Sequence, residues 1–122
     1  MGLEVAQVNV AVDLFERAHF SLDHPLVTIL SDTPPARVVL FTLEPGQQVN
    51  DHRNNSEVHM LALMGRGWIH LGQSTHDVTA GRWFFCPPGT SHGFGATERM
   101  IILATIAPRP RSWADPADSV GC

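Results

Sequence analysis

Gly81-Arg82-Trp83-Phe84-Phe85-Cys86-Pro87-Pro88-Gly89-Thr90-Ser91-His92 is the stretch on which the fold turns. Its run from Trp83 to Cys86 has strand composition and stops at two prolines, neither of which has an N–H to give to a sheet ladder. Gly89 permits a tight turn, and His92 follows it, presented at a rigid strand end. A second stretch repeats the plan nearer the N-terminus: Pro45-Gly46 breaks the chain, and Asn50-Asp51-His52-Arg53-Asn54-Asn55-Ser56-Glu57-Val58-His59 brings polar and imidazole groups just before an apolar run.

Working outward, β-branched and aromatic residues between turn signals predict strands over 26–30, 37–43, 58–64, 68–71, 76–79, 83–86 and 98–107. Asp13 is placed to cap a short helix over 14–20, and 3–12 has the composition of a further strand. Short strands punctuated by glycine, proline and asparagine argue for a small all-β barrel or sandwich. Pro108-Arg109-Pro110-Arg111 opens a tail that should run extended, with Trp113 available to pack on a neighbouring surface. The expected organisation is one domain: 1–35 leading into a barrel core over 36–107, then a tail over 108–122.

The chain has 122 residues and is 43% hydrophobic, enough for one core and too little for two. Its formal net charge is −4, and all eight basic residues are arginine. No basic patch points to nucleic acid and no apolar run is long enough to span a bilayer. The N-terminal residues carry neither a cationic start nor a long apolar core, so a cytoplasmic protein is expected. Two cysteines, Cys86 and Cys122, do not make a disulfide framework, while seven histidines raise the question of a metal.

The two stretches resemble the paired motifs of the cupin superfamily. Gly81, Pro87, Gly89 and His92 fall at the spacing of the second motif, with Ala96 where its final Asn would stand. Gly46, His52 and Gly65 outline the first. The motifs and their spacer cover 46–96, and the flanking strands fit the same architecture. The resemblance implies a single cupin jelly-roll β-barrel with a short N-terminal segment and an extended C-terminal tail. It also implies a divalent transition metal (Fe, Zn, Ni, Mn or Cu), held by two His and one Glu of the first motif and one His of the second. Carried over without gaps, those positions are His52, Asn54, Val58 and His92, so two of the four ligands are replaced. Glu57 and His59 flank Val58, and strand alternation points both away from its face. A one-residue bulge near Ser56 would bring Glu57, His59 or both inward.

Imidazole nitrogen and carboxylate oxygen suit borderline ions, which take three or four such donors. The expected metal set is therefore His52 and His92 with Glu57 or His59, and the expected catalytic set His52, His92 and Glu57. The alternative for His52 and His92 is a hydrogen-bonded pair at the mouth of a metal-free barrel. Val58, Met60 and Ala62 form one alternate set facing the expected pocket, with Asn54, His70 and Phe85 as further lining and Trp83 beside them; the same apolar set would equally suit a packed core. His70 is otherwise a surface imidazole, and Cys86 is either a soft ligand or a small buried hydrophobe. Gly89-Thr90-Ser91-His92-Gly93 matches a nucleophile elbow as text, but no helix follows it.

Two functional classes follow. One is a small cupin enzyme acting on an organic molecule in the barrel, either metal-dependent (isomerase, cyclase, lyase or dioxygenase) or working by proton transfer through the two histidines. The other is a ligand-binding or sensory module without turnover. Whether Glu57 or His59 enters the pocket separates them. Leu61 and Leu63, on the face opposite Val58, need cover, which a homodimer would supply; neither a nucleic-acid nor a membrane partner is expected.

Overall fold

The computed structural model describes residues 10–110. A single helical turn, α1 (Leu14–Arg17), precedes nine strands: β1 (Leu26–Thr33), β2 (Ala36–Leu43), β3 (Gln48–His52), β4 (Glu57–Met64), β5 (Arg66–Leu71), β6 (Ser74–Thr79), β7 (Trp83–Cys86), β8 (His92–Ala96) and β9 (Met100–Ala107). They form a five-stranded sheet in the order β1-β2-β9-β4-β7 and a four-stranded sheet in the order β3-β8-β5-β6. The pairings are antiparallel. This is the all-β architecture that the strand series implied, in the jelly-roll form that the resemblance implied. No helix among the described residues is long and apolar enough to cross a membrane.

Period-2 alternation decides which side chains fill the space between the sheets. From the larger sheet come Val39, Phe41 and Leu43 on β2, Val58, Met60 and Ala62 on β4, Phe84 and Cys86 on β7, and Met100, Ile102, Ala104 and Ile106 on β9. From the smaller sheet come Val49, Ile69, Val78, Phe94 and Ala96. Phe41 and Phe94 join the two across the middle, edge to face, with ring centroids 5.1 Å apart. Such a pair adds about 1 kcal/mol to what its burial contributes.

Asp13 caps α1 as expected, its Oδ1 accepting from the amides of Phe15 and Glu16. The helix is shorter than the 14–20 the sequence suggested, because the next residues are taken up as a strap against the larger sheet. The Thr42 hydroxyl donates to the His19 carbonyl, Gln47 Nε2 donates to the Ser21 carbonyl at 2.6 Å, and the Arg99 guanidinium lies 4.4 Å from the Phe20 ring centroid. Arg99 is itself held by a two-pronged contact to Glu44 at 2.8 and 3.0 Å. The strand expected over 3–12 falls mostly outside the described residues, and 10–12 are not in a strand. Trp113 also lies outside them. The start of the tail packs: the Pro108 carbonyl accepts from the Ser56 hydroxyl at 2.5 Å, and the Arg109 amide donates to the Pro34 carbonyl at 3.2 Å.

Candidate functional site

Two strand ends bring His52 and His92 together. His92 opens β8 directly after the Pro87-Pro88-Gly89 turn, in which Gly89 takes a φ of +80° and its amide donates to the Asn54 carbonyl at 2.7 Å. That bond ties the turn before β8 to the loop after β3. His52 reaches the same face by a different device. Val49 pairs with Phe94 and His52 with His92, so three steps along β3 answer two along β8, and Asn50 and Asp51 together oppose Gly93. This one-residue bulge puts both Val49 and His52 on the inner face, which strict alternation would forbid. The two imidazole rings lie 4.4 Å apart, centroid to centroid, at 61°.

Each ring is anchored by its Nδ1. His52 Nδ1 lies 2.8 Å from the Asn50 carbonyl and His92 Nδ1 lies 3.0 Å from the Thr90 carbonyl. A carbonyl only accepts, so in each neutral ring the proton sits on Nδ1 and Nε2 is left bare. Both Nε2 atoms are buried and have no hydrogen-bond partner. Burial is the main reason that the His92 pKa is lowered to about 4; the neighbouring His52 adds to the lowering, while the Thr90 carbonyl and the Asp51 carboxylate work against it. His92 is therefore neutral at physiological pH, offering a lone pair. Cys86 Sγ lies 3.2 Å from His92 Nδ1, and burial raises the thiol pKa, so the two form a neutral thiol–imidazole pair with no thiolate. Cys86 is 1% exposed and packs as a small hydrophobe.

The expected third ligand is not there. β4 pairs with β9 in unbroken register from Glu57–Ala107 to Ala62–Ile102, and its one irregularity falls between Ala62 and Met64, not near Ser56. Val58, Met60 and Ala62 accordingly face inward, as read from the alternation, and Glu57 and His59 face out. Those two bond each other, His59 Nε2 to Glu57 Oε2 at 2.6 Å, and the His59 ring rests 5.1 Å from Phe85 and 5.9 Å from Trp83. The expectation that Glu57 or His59 joins the histidines is thus corrected by the register of β4. Phe85 and Trp83 are corrected too: Val58 pairs with Cys86, which turns Cys86 and Phe84 inward and leaves Phe85 40% and Trp83 59% exposed. His70 faces away from the core beside Trp68, bonded to Asp51 at 3.1 and 3.3 Å. Asn54 stays close to the site. Its Oδ1 accepts from the Ser56 amide and its Nδ2 is buried without a partner.

The donor set bears directly on the implied metal. Two imidazole nitrogens are present; the third ligand position carries an isopropyl group and the fourth a carboxamide. Among the described residues no cluster of three or more His, Cys, Asp or Glu could hold an ion. Two donors fall short of the three or four that fix a tightly held ion, so the residues present do not fit a resident metal of the implied kind.

A cleft of about 440 Å³ opens beside His52, between β1, β2 and β3. Val27, Phe41 and Val49 give it apolar walls, and His24 and His52 put imidazoles on its rim. Val27 and Ile29 pair with the inward-facing Phe41 and Val39, yet they stay 37% and 42% exposed on β1, the edge strand of the larger sheet. The sequence reading passed over His24, Val27, Phe41 and Val49; the alternation of Val27 with Ile29 and of Val39 with Phe41 was the signal that paired them. It also passed over Arg37, which is buried at the level of Ile106, Val58 and Cys86 and is ion-paired to Asp32 at 3.4 Å.

Comparisons with known proteins agree with this architecture. A family model described as a cupin domain matches residues 39–106. No curated protein matches the chain. Among solved structures, an RmlC-like cupin from Desulfovibrio desulfuricans is similar at 26% identity and a TM-score of 0.77, over 83% of this chain and 98% of that one. KdgF from Halomonas sp. superposes with a TM-score of 0.65 at 21% identity, over 68% of this chain and 79% of that one. A predicted oxalate decarboxylase from Thermotoga maritima gives 0.57 at 25% identity, over 59% and 65%. The family model spans β2 to β9 and both imidazole-bearing strands, and the chain belongs to the cupin family.

Proposed function

We propose that this cupin binds a small organic molecule in the cleft beside His52, with His52 and His92 acting as a pair of bases and no tightly held metal. The observation that supports it is the anchoring of both Nδ1 atoms on backbone carbonyls, which leaves two bare, buried Nε2 atoms with nothing to accept from. A buried acceptor without a donor costs about 1 to 3 kcal/mol, and a ligand O–H or N–H at that point recovers it. The walls of Val27, Phe41 and Val49 suit an apolar body carrying that group, and the cleft volume lies within the usual range for small-molecule sites. If turnover occurs, the chemistry open to these residues is proton transfer: an acidic proton of the ligand passes to Nε2, and the adjoining carbonyl keeps the ring oriented. Structural neighbours named as KdgF and as a predicted oxalate decarboxylase share the fold while differing in name, so likeness alone selects no substrate.

The second reading is the metal-dependent enzyme, in which a divalent ion would act as a Lewis acid. What favours it is the same pair of carbonyl-oriented rings, an arrangement that also presents histidine to metals. Elemental analysis of protein purified without chelators decides between the two. We expect well under one transition-metal ion per chain, together with ¹⁵N shift changes at both Nε2 atoms on adding phenol, a neutral donor small enough for the cleft. Near-stoichiometric metal, lost in His52→Ala and His92→Ala, would replace the first reading with the second. The homodimer expected from Leu61 and Leu63 goes with either.

A further inference from the structure

The outer face of the smaller sheet carries a feature that the site itself does not use. Its central strand β8 shows only Gly93 and Gly95 on that face, with His92, Phe94 and Ala96 turned inward. A side chain is excluded at either glycine. A Cβ on Gly95 would sit 2.5 Å from the Trp68 ring, and one on Gly93 would sit 2.3 Å from Asp51 Oδ1 and 2.8 Å from the Asp51 amide nitrogen. Asp51 belongs to the bulge of β3, on one side of β8; His70 pairs with Gly93 from β5, on the other. Strands that flank a third lie about 9 to 10 Å apart, too far for a short carboxylate to cross an occupied surface. With Gly93 bare between them, the Asp51 carboxylate and His70 Nδ1 meet at 3.1 Å.

We infer that Asp51, Gly93 and His70 form a clamp that fixes the β3 bulge and so holds His52 inward against His92, making Asp51 and His70 positioning residues for the imidazole pair. Residues 50 and 51 share one opposing residue, and the carboxylate that seals this arrangement is on the second of them, next to His52. If the bulge relaxes, β3 returns to strict alternation and His52 turns to the outer face, because a shift of one residue exchanges the two faces of a strand. The hydrogen bond from His52 Nδ1 to the Asn50 carbonyl, which spans the bulge, then has no geometry to survive in. Both members of the clamp are substantially exposed, so the pair contributes little to global stability. Its effect is to choose between the bulged register of β3 and the unbulged one.

The inference rests on His52 and His92 being the site, but its test does not need a ligand. In the free, full-length protein, nuclear Overhauser contacts between the two rings and the ¹⁵N signature of His52 Nδ1–H report the inward state directly. Asp51→Ala and His70→Ala should each weaken the inter-ring contacts several-fold and lose the Nδ1–H signature, while the melting temperature falls by only a few degrees. Asp51→Asn, which can still accept from His70, should keep both signals. Full-strength contacts in a folded Asp51→Ala would overturn the clamp. If Asp51→Ala does not fold, His70→Ala carries the same reading on the partner strand. A failed clamp leaves the phenol response of the wild-type protein standing, whereas rings in place with no phenol response would sink the functional proposal and leave the clamp.

Discussion

The two polar stretches that each end on an inward imidazole reach it by different routes. The second keeps its Gly, Pro, Gly and His at the family spacing and delivers His92 at a turn, on an unbroken strand, buried and anchored. The first keeps only its outline, Gly46, His52 and Gly65: His52 faces inward because β3 holds an extra residue, and β4 offers Val58 where a carboxylate would be needed. Each half therefore preserves one imidazole, while the first has lost two ligands and shows an apolar wall where its carboxylate would stand. On the inner face of β4, Val58, Met60 and Ala62 instead join the hydrocarbon core.

The sharpest way to break that contrast is to write a carboxylate back into the first half. Val58 is fully buried between Cys86 and Ile106, so Val58→Glu places an unpaired charge in the core layer next to Cys86, whose sulfur touches His92. The expected loss without metal is about 3 to 5 kcal/mol, measured by urea unfolding. Adding Zn²⁺ should restore much of it in the variant and little in the wild type, because the introduced oxygen and the two Nε2 atoms make three donors. If Zn²⁺ stabilises neither protein, the two rings are not disposed to share an ion; if it stabilises both alike, the wild-type set already holds one, and the loss of the first-half carboxylate is not what separates this barrel from a metal site.

The anchored half carries its own pH dependence. His92 titrates near 6.5 when unfolded and near 4 when folded, chiefly because burial penalises the imidazolium. Folding thus favours the neutral ring, and the unfolded chain binds more protons between those values. The stabilisation is complete above about pH 6.5 and is lost as pH falls toward 4, amounting to about 3 kcal/mol over the interval. Comparing urea midpoints of wild type and His92→Asn from pH 7 to pH 4 isolates the effect, since other groups titrate alike in both. Parallel curves would mean that His92 is not a buried neutral base.

How much of this could be read in advance differs between the halves for a physical reason. β4 was legible because Val58, Met60 and Ala62 alternate cleanly with Glu57, His59 and Leu61, and that alternation already warned that Glu57 and His59 face out. β3 and β8 were not marked as strands. In β8 every outward residue is glycine, whose weak strand propensity reads as a loop; the reason for it lies on neighbouring strands, where Trp68 and Asp51 occupy the space a side chain would take. In β3 the bulge breaks the period, and its two residues, Asn50 and Asp51, are of types common in turns. A bulge was considered only beside Ser56, where it would have rescued a ligand, and not at Asn50-Asp51, where it serves the histidine already recognised. Trp83-Phe84-Phe85-Cys86 has no polar residue to reveal its phase, so only the pairing of Val58 with Cys86 settles which rings face out.

The smallest expected effect on stability lies on that outer face. Trp83 and Phe85 stack along β7, centroids 6.3 Å apart and 20° from parallel, with His59 beside them and Leu61 and Leu103 bordering the same surface. Trp83 is 59% exposed, so Trp83→Ser removes contacts that the single chain scarcely uses, and its unfolding free energy at low concentration should change by less than about 1 kcal/mol. Self-association is the measurement that can move. In the homodimer expected from the outward leucines of β4, the exposed indole would anchor the contact, because large aromatic side chains dominate such interfaces. Light scattering at micromolar concentration should then give a dimer for the wild type and a monomer for Trp83→Ser. A wild-type monomer removes the expected dimer altogether, and a dimer that survives Trp83→Ser moves its interface away from β7. Either result leaves the inner face of β4 and its two histidine neighbours untouched, because the residues tested lie on the opposite side of the sheet.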